Sequence, residues 1–312
     1  MDLNMFPIPA PTDIEAMADY DALKLYDAKS LIKTGDWFSR SEFSATNQRA
    51  IYIDSDRVGM KASDRHHWYA RMACDSLTSP SPIRNWYQAK HRATLENSIF
   101  YEKSPKTALA LRKYIASQFR PSAALAVYDM FNATSIYDPC GGWGDRLVAA
   151  MAKGVDYHCR DTNPLVLAGY AAMQQMYPHA GRVSFEYEGA ELSPPDGKFD
   201  LVFTSPPYWK AEKYQGEQSS HLQYKKFDVW LDKFLFNMLD NAWNVLKPKG
   251  YLVLNISDIY ANHTYNKIIT PVLDFFAPDN PYVMGYRMAK RVGSKSNAKG
   301  IFCEPMIVVQ KL

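Results

Sequence analysis

The sequence predicts an α/β fold. A doubly wound, parallel sheet is expected over residues 121–312, behind a mainly helical N-terminal region spanning residues 1–120. Three observations lead there. Past residue 121, short apolar runs alternate with segments of helical length, the pattern of a parallel sheet crossed by helices. The first run ends in a glycine-rich turn, Gly141-Gly142-Trp143-Gly144. The fourth ends in a double proline, Thr204-Ser205-Pro206-Pro207-Tyr208-Trp209, at the carboxyl end of a strand, where open α/β sheets place their ligands.

Composition sets the bounds. A chain of 312 residues can bury a sizeable core, as one large domain or a domain with an appendage. Hydrophobic residues make up 47% and charged residues 22%, ordinary for a globular protein. A formal charge of +3 does not demand a polyanionic partner, although it allows a local basic patch. The four cysteines, Cys74, Cys140, Cys159 and Cys303, form no Cys-x-x-Cys pair, which argues against a disulfide scaffold or zinc knuckle and fits a reducing compartment. No basic segment followed by an apolar run opens the chain, and no apolar stretch reaches membrane-spanning length. A cytoplasmic protein with no membrane partner is expected. His66-His67 and His91 have no acidic partner at ligand spacing, so no metal site is expected.

The N-terminal region opens with Pro7, Pro9 and Pro11, which keep the first dozen residues extended. Residues 13–33 have helical character, with Asp13 as a candidate cap, and a short strand is possible at Ile51-Tyr52-Ile53. Leu77 to Pro82 reads as a sharp turn or linker. Residues 86–119 read as mainly helical, with Pro105 opening a second helix. Basic residues recur from Lys90 to Arg120 and suit either a solvated face or a phosphate-contacting surface.

From residue 123 the alternation begins. A helix to Phe131 precedes strand 135–137, which leads into Asp138-Pro139-Cys140 and the glycine turn; a helix follows through Leu147 to Met151. Strand, glycine turn and helix let backbone approach a nucleotide-like ligand closely. The second strand, 156–160, ends at Asp161, about 20 residues past the glycine turn, where a carboxylate commonly holds ribose hydroxyls. Asp161 can equally cap the helix expected over 165–177. A third strand, 183–187, is followed by Gly189-Ala190-Glu191, and the fourth, 199–203, delivers Ser205-Pro206-Pro207-Tyr208. Taken alone, that last stretch is a stiff turn with an aromatic residue. Residues 210–226 read as a mobile loop over the site, 227–246 as one long helix ending at Lys247-Pro248-Lys249-Gly250, and 251–256 as the fifth strand. A helix is expected over 262–276, a basic loop over 290–299, and a closing strand over 301–309.

The ordered set resembles the class I S-adenosylmethionine-dependent amino-methyltransferases, the N4-cytosine/N6-adenine DNA methylase superfamily. Asp138-Pro139-Cys140-Gly141-Gly142-Trp143-Gly144 is similar to that family's first motif, and Thr204-Ser205-Pro206-Pro207-Tyr208 to its catalytic motif, in the serine form more usual for cytosine N4 enzymes. Asp161 matches the acidic residue at the second strand end, and the turn at residues 246–250 matches the one before the fifth strand. The likeness covers about residues 120–312 and implies a Rossmann-like methyltransferase domain with S-adenosyl-L-methionine as cofactor. It implies that Asp138, Pro139, Cys140, Gly141, Gly142 and Gly144 cradle the methionine part, that Asp161 binds the ribose, and that Ala190 and Glu191 lie near the adenine, with Glu188 also close. Ser205, Pro206, Pro207 and Tyr208 would be catalytic. The loop after them is dense in functional groups, and Trp209, Glu212 and Tyr214 are candidates for substrate contact.

The resemblance makes the expected partner a nucleic acid, DNA first, with cytosine N4 ahead of adenine N6 because position 205 is Ser. Two features depart from the family. No separate target-recognition domain is visible, so recognition falls to residues 1–120, falls to the loop 210–226, or is minimal. The weak charge does not insist on duplex DNA. The same fold acting on an amine of RNA, a nucleotide or a small molecule is the second reading, and an inactive cofactor-binding subunit the third.

Overall fold

A nine-stranded mixed sheet forms the centre of the computed structural model, which describes residues 6–76, 79–102, 105, 115–261, 264–287 and 300–312. In chain order the strands are β1 (Ile32–Thr34), β2 (Trp37–Phe38), β3 (Gln48–Ile53), β4 (Asp75–Ser76), β5 (Ser135–Asp138), β6 (Asp156–Arg160), β7 (Val183–Glu186) and β8 (Phe199–Thr204). They continue as β9 (Glu212–Lys213), β10 (Leu246–Asn255), β11 (Ile259–Ala261), β12 (Thr264–Asn266), β13 (Tyr282–Tyr286), β14 (Ile301–Phe302) and β15 (Glu304–Gln310). The sheet order is β1-β3-β13-β15-β10-β8-β5-β6-β7. Strands β7, β6, β5, β8 and β10 are parallel, while β15 runs antiparallel between β10 and β13. The chain starts the parallel part at β5, builds outward to β7, then returns to lay β8 on the other side of β5. That reversal opens a crevice at the carboxyl ends of β5 and β8, the switch point where doubly wound sheets bind ligands.

Local sequence explains the elements flanking the crevice. The helix Asp145–Lys153 starts from Gly144 and stops at Gly154, both at positive φ, where a side chain would be strained. The helix Pro164–Met176 is capped by Asn163, whose side chain accepts from the Leu165 N–H, and Pro164 fills its first turn. Two apolar cores lie against the sheet. One packs Leu147, Val148, Tyr170 and Met173 with Tyr20 and Leu23 of the N-terminal helix Asp13–Lys24; the other packs Trp230, Phe234, Met238 and Leu239.

Several expectations need correction. Residues 1–120 do contain helices, at Asp13–Lys24, Met60–Met72, Pro82–Tyr87 and Ala89–Glu102. Yet β3 pairs with β13 and β1 with β3, so this region extends the same sheet. Thr12, not Asp13, caps the first helix, in a reciprocal pair with Glu15. Residues 210–226 are tied down: β9 pairs with β4, and Ser220–Gln223 is a helical turn. The expected long helix 227–246 carries a π-helical stretch, Trp230–Phe236, before Asn237–Val245. In place of a helix over 262–276 there is the hairpin β11–β12 and a short helix, Ile269–Phe275, whose first N–H groups bond to Asp258. The doubly wound sheet is mixed, because β15 enters it antiparallel. The second helix expected from Pro105, part of the turn at 77–82, and the basic loop 290–299 fall on residues outside the described ones.

Candidate active site

Asp138 ends β5 fully buried, beside Arg146 of the following helix. Its Oδ2 accepts from Arg146 Nε at 2.6 Å and from the Tyr157 hydroxyl at 2.5 Å. Its Oδ1 accepts from the Cys140 N–H at 3.2 Å and from Arg146 Nη2 at 3.3 Å. Arg146 Nη2 also reaches the Cys140 carbonyl at 2.5 Å. Asp138 is therefore committed to the protein: it fixes the loop from beneath.

The loop itself turns through Gly142 and Gly144 at φ 58° and 73°. The Gly142 N–H donates to Asp161 Oδ2 at 2.8 Å, and the Tyr170 hydroxyl donates to the Gly142 carbonyl at 2.6 Å. Asp161 Oδ1 accepts from the Asn163 N–H at 2.8 Å. Burial pushes the Asp161 carboxyl up to about 6, although those two backbone N–H groups pull the other way. Cys140 faces the carboxylates of Asp161, Asp138 and Glu191; burial first, and then these charges, hold its thiol far above the usual range.

On the third-strand side Ala190 is buried, and its carbonyl accepts from Asn241 Nδ2 at 2.9 Å. Glu191 Oε1 accepts from the Tyr224 hydroxyl at 3.1 Å, whereas Oε2 is buried with no partner among the described residues. Burial raises the Glu191 carboxyl. Glu188, the neighbouring alternative, is bound to Arg160 at 3.0 Å. An orphaned buried acceptor fits a ligand carrying hydroxyl or amino donors, which S-adenosylmethionine offers.

At the end of β8, Ser205 and Tyr208 are half-buried. Their hydroxyls lie 3.5 Å apart, and the Tyr208 hydroxyl donates to the Asn255 carbonyl at the end of β10, 3.2 Å away. Asn255 Nδ2 in turn donates to Glu304 Oε2 at 3.1 Å. Burial, then the Glu304 charge, keeps the Tyr208 phenol protonated well above its ordinary range. The chain leaves this loop through Trp209 at φ 46°, a strained conformation for a bulky residue.

The three residues read as substrate contacts are engaged inside the protein. Trp209 is buried, donates Nε1 to the Tyr224 carbonyl at 3.3 Å and packs edge-on to Phe227. Glu212 accepts from the backbone N–H and hydroxyl of Ser117, at 3.0 and 3.1 Å, and from the Tyr214 hydroxyl. The Tyr214 ring lies against Trp143.

Sequence reasoning missed Arg146, Tyr224, Asn255 and Glu304. Tyr224 joins the two halves of the site, its hydroxyl on Glu191 and its carbonyl on Trp209. Asn255 carried a signal, a polar residue ending the apolar run Leu252-Val253-Leu254. Residues 60–72 and 115–118 also buttress the loop: His67 lies against Gly144, and Ser63 and Gln118 donate to Asp145.

Residues 199–311 match the family model described as DNA methylase. No curated protein matches the chain. Among solved structures, a putative class I S-adenosylmethionine-dependent methyltransferase from Listeria monocytogenes is 15% identical, with a TM-score of 0.43 over 72% of each chain. An S-adenosylmethionine-dependent O-methyltransferase from Thermotoga maritima is 13% identical, with a TM-score of 0.42 over 66% of this chain and 71% of that one. TehB from Haemophilus influenzae is 9% identical, with a TM-score of 0.39, and this chain spans only 61% of its length. With the match over residues 199–311 and the order of its two motifs, the chain resembles the N4-cytosine/N6-adenine DNA methylase superfamily of S-adenosylmethionine-dependent methyltransferases.

Proposed function

We propose that this protein transfers a methyl group from S-adenosylmethionine to an exocyclic amino group of a nucleobase, with cytosine N4 in DNA as the first candidate. The observation that carries the reading is the Ser205-Pro206-Pro207-Tyr208 loop, anchored through Tyr208 on Asn255 at the sheet's switch point. An amino group conjugated to a ring is a poor nucleophile. As it attacks, its nitrogen becomes tetrahedral and its hydrogens more acidic, so acceptors that grip those hydrogens favour the transition state. Ser205 Oγ and the Pro206 carbonyl serve as those acceptors, and the two prolines hold them in place beforehand. Tyr208 stacks on the ring and sets its plane; its phenol, held protonated, is not a base.

When bound, the cofactor supplies an electrophilic methyl group on a sulfonium. Asp161 accepts the ribose hydroxyls, Glu191 Oε2 takes a donor on the adenosine side, and the Gly141–Gly144 turn takes the methionine part. Asp138 positions that turn through Arg146 and Cys140.

A second reading, an amine in RNA, a free nucleotide or a small molecule, draws support from β1 and β3, which join the central sheet instead of belonging to a separate recognition domain. Transfer of tritiated methyl to DNA oligonucleotides, RNA and nucleosides in parallel tests both. Incorporation into DNA that disappears in Tyr208→Ala and Pro206→Ala supports the first reading. Incorporation into nucleosides or RNA alone supports the second, and full activity of both variants sinks the mechanism.

A further inference from the structure

The carboxyl edge of the sheet carries exposed aromatic rings that the chemistry above does not use. Tyr260 and Tyr265 are directly opposed across the β11–β12 hairpin, with 69% and 38% of their surfaces exposed. The Tyr265 hydroxyl donates to Asp258 at 2.7 Å and lies 3.3 Å from the Arg40 carbonyl, which ties the hairpin to the loop after β2. Arg40 is itself exposed, and its guanidinium sits 5.6 Å from the centre of the Phe302 ring. Phe302 is 37% exposed and packs edge-on against Phe38. Arg40 thus links the two groups into one strip, its backbone carbonyl at Tyr265 and its guanidinium at Phe302.

The strip adjoins the proposed catalytic loop at both ends of its attachment. Asn255, which holds Tyr208, lies three residues before Asp258, and Ser257 donates to Glu304 at 3.1 Å. Glu304 lies two residues after Phe302 and accepts from Asn255. Aliphatic side chains do not make this strip. Its members are two tyrosines, one phenylalanine and one guanidinium, rings that can stack on unpaired bases beside a cation that can meet phosphate.

We infer that the Tyr260–Tyr265–Arg40–Phe302 strip holds the unpaired nucleotides flanking the target base. Tyr260 and Tyr265 take the faces of neighbouring bases, and Arg40 meets their phosphate. The inference rests on the nucleobase reading above and gives it the recognition surface that the chain otherwise lacks. It makes single-stranded or locally opened nucleic acid the preferred substrate, because the bases must present their faces.

The test measures binding of a fluorescent single-stranded DNA oligonucleotide, with S-adenosylhomocysteine present, to wild type, Tyr260→Ala and Arg40→Ala. Thermal melting and S-adenosylhomocysteine affinity are controls. Expected is a loss of about tenfold or more in oligonucleotide affinity for Tyr260→Ala, since base stacking on one ring is worth about that much. Arg40→Ala should bind more weakly and with a shallower salt dependence, while both variants keep wild-type melting and S-adenosylhomocysteine binding. Wild-type binding and methylation of oligonucleotides with both variants unchanged would overturn the strip alone. A wild type that binds no oligonucleotide would overturn the inference, and one that in addition transfers no methyl group to DNA, RNA or nucleosides would overturn the nucleobase reading with it. A self-association lost in Tyr260→Ala, with oligonucleotide binding intact, would make the strip a contact between copies and also overturn the inference.

Discussion

The Tyr208 hydroxyl donates to the Asn255 carbonyl at 3.2 Å, joining the loop after β8 to the end of β10. The bond holds by its far edge, at the switch point, the ring proposed to stack on the substrate. Removing the hydroxyl and removing the ring should therefore differ. Tyr208→Phe should keep substrate binding and lose roughly fivefold to tenfold in kcat, the scale of one hydrogen bond. Tyr208→Ala should lose activity altogether while binding S-adenosylhomocysteine as before. Equal losses in steady-state kinetics would mean that the hydroxyl, not the ring, carries the role.

As the proposed acceptor for the ribose hydroxyls, Asp161 would give cofactor binding a pH dependence. In the free protein burial raises its carboxyl to about 6, and the ionised form is the better acceptor for ribose hydroxyls. Binding then favours loss of the proton. Affinity for S-adenosylhomocysteine should fall as pH drops below about 6, approaching tenfold per pH unit, and level off above about 7. Calorimetric titration from pH 5 to 8 checks this, and Asp161→Asn should bind weakly with a flat profile. A wild-type affinity that does not change with pH would remove Asp161 from the cofactor site.

Asp145 acts on stability in the opposite sense from most carboxylates. It is buried at the start of the helix Asp145–Lys153, accepts from Ser63 and Gln118, and is raised by burial to about 7. Between its unfolded value and about 7 the native state holds more protons than the unfolded one. Its contribution to stability is therefore fully present below about pH 4 and lost as pH rises through 7. Asp145→Asn keeps an acceptor for both donors without the charge. Its stability relative to wild type should rise by about 2 kcal/mol between pH 5 and pH 8 in denaturant melts. An unchanged difference would show that Asp145 titrates normally.

The Asp138–Arg146 pair is buried on both sides, so breaking it strands a charge. Arg146→Met should cost about 3–5 kcal/mol in denaturant unfolding and weaken cofactor binding, because the Cys140 carbonyl loses its donor as well. A variant as stable as wild type would contradict the positioning role given to Asp138.

Much of the fold was legible because its signals are local. The strands at 135–138, 156–160, 183–186 and 199–204 are short segments set between turn signals, and the sequence boundaries agree with the structural ones to within one residue. The glycine loop and the Ser-Pro-Pro-Tyr loop were legible because few residue types tolerate such backbones. What was illegible depends on distant partners. Nothing in Gln48–Ile53 announces that it will lie beside β13, some 230 residues later. Ile259-Tyr260-Ala261 and Thr264-Tyr265-Asn266 suit a helix or a strand until Asp258 captures the Ile268 and Ile269 N–H groups and delays the helix. Within the site, the commitment of Asp138 to Arg146 and of Trp209 and Glu212 to internal partners appears only in three dimensions. A carboxylate in a motif reads the same whether it faces a ligand or an arginine.

The central claim, methyl transfer to an exocyclic amine of a nucleobase, is tested most directly by mass spectrometry of enzymatically digested host DNA after expression of wild type and of Tyr208→Ala. Expected is N4-methylcytosine, or N6-methyladenine in its place, in the wild-type sample and neither in the variant. Neither modified base in wild-type DNA, together with no transfer to RNA or nucleosides by the purified protein, would contradict it.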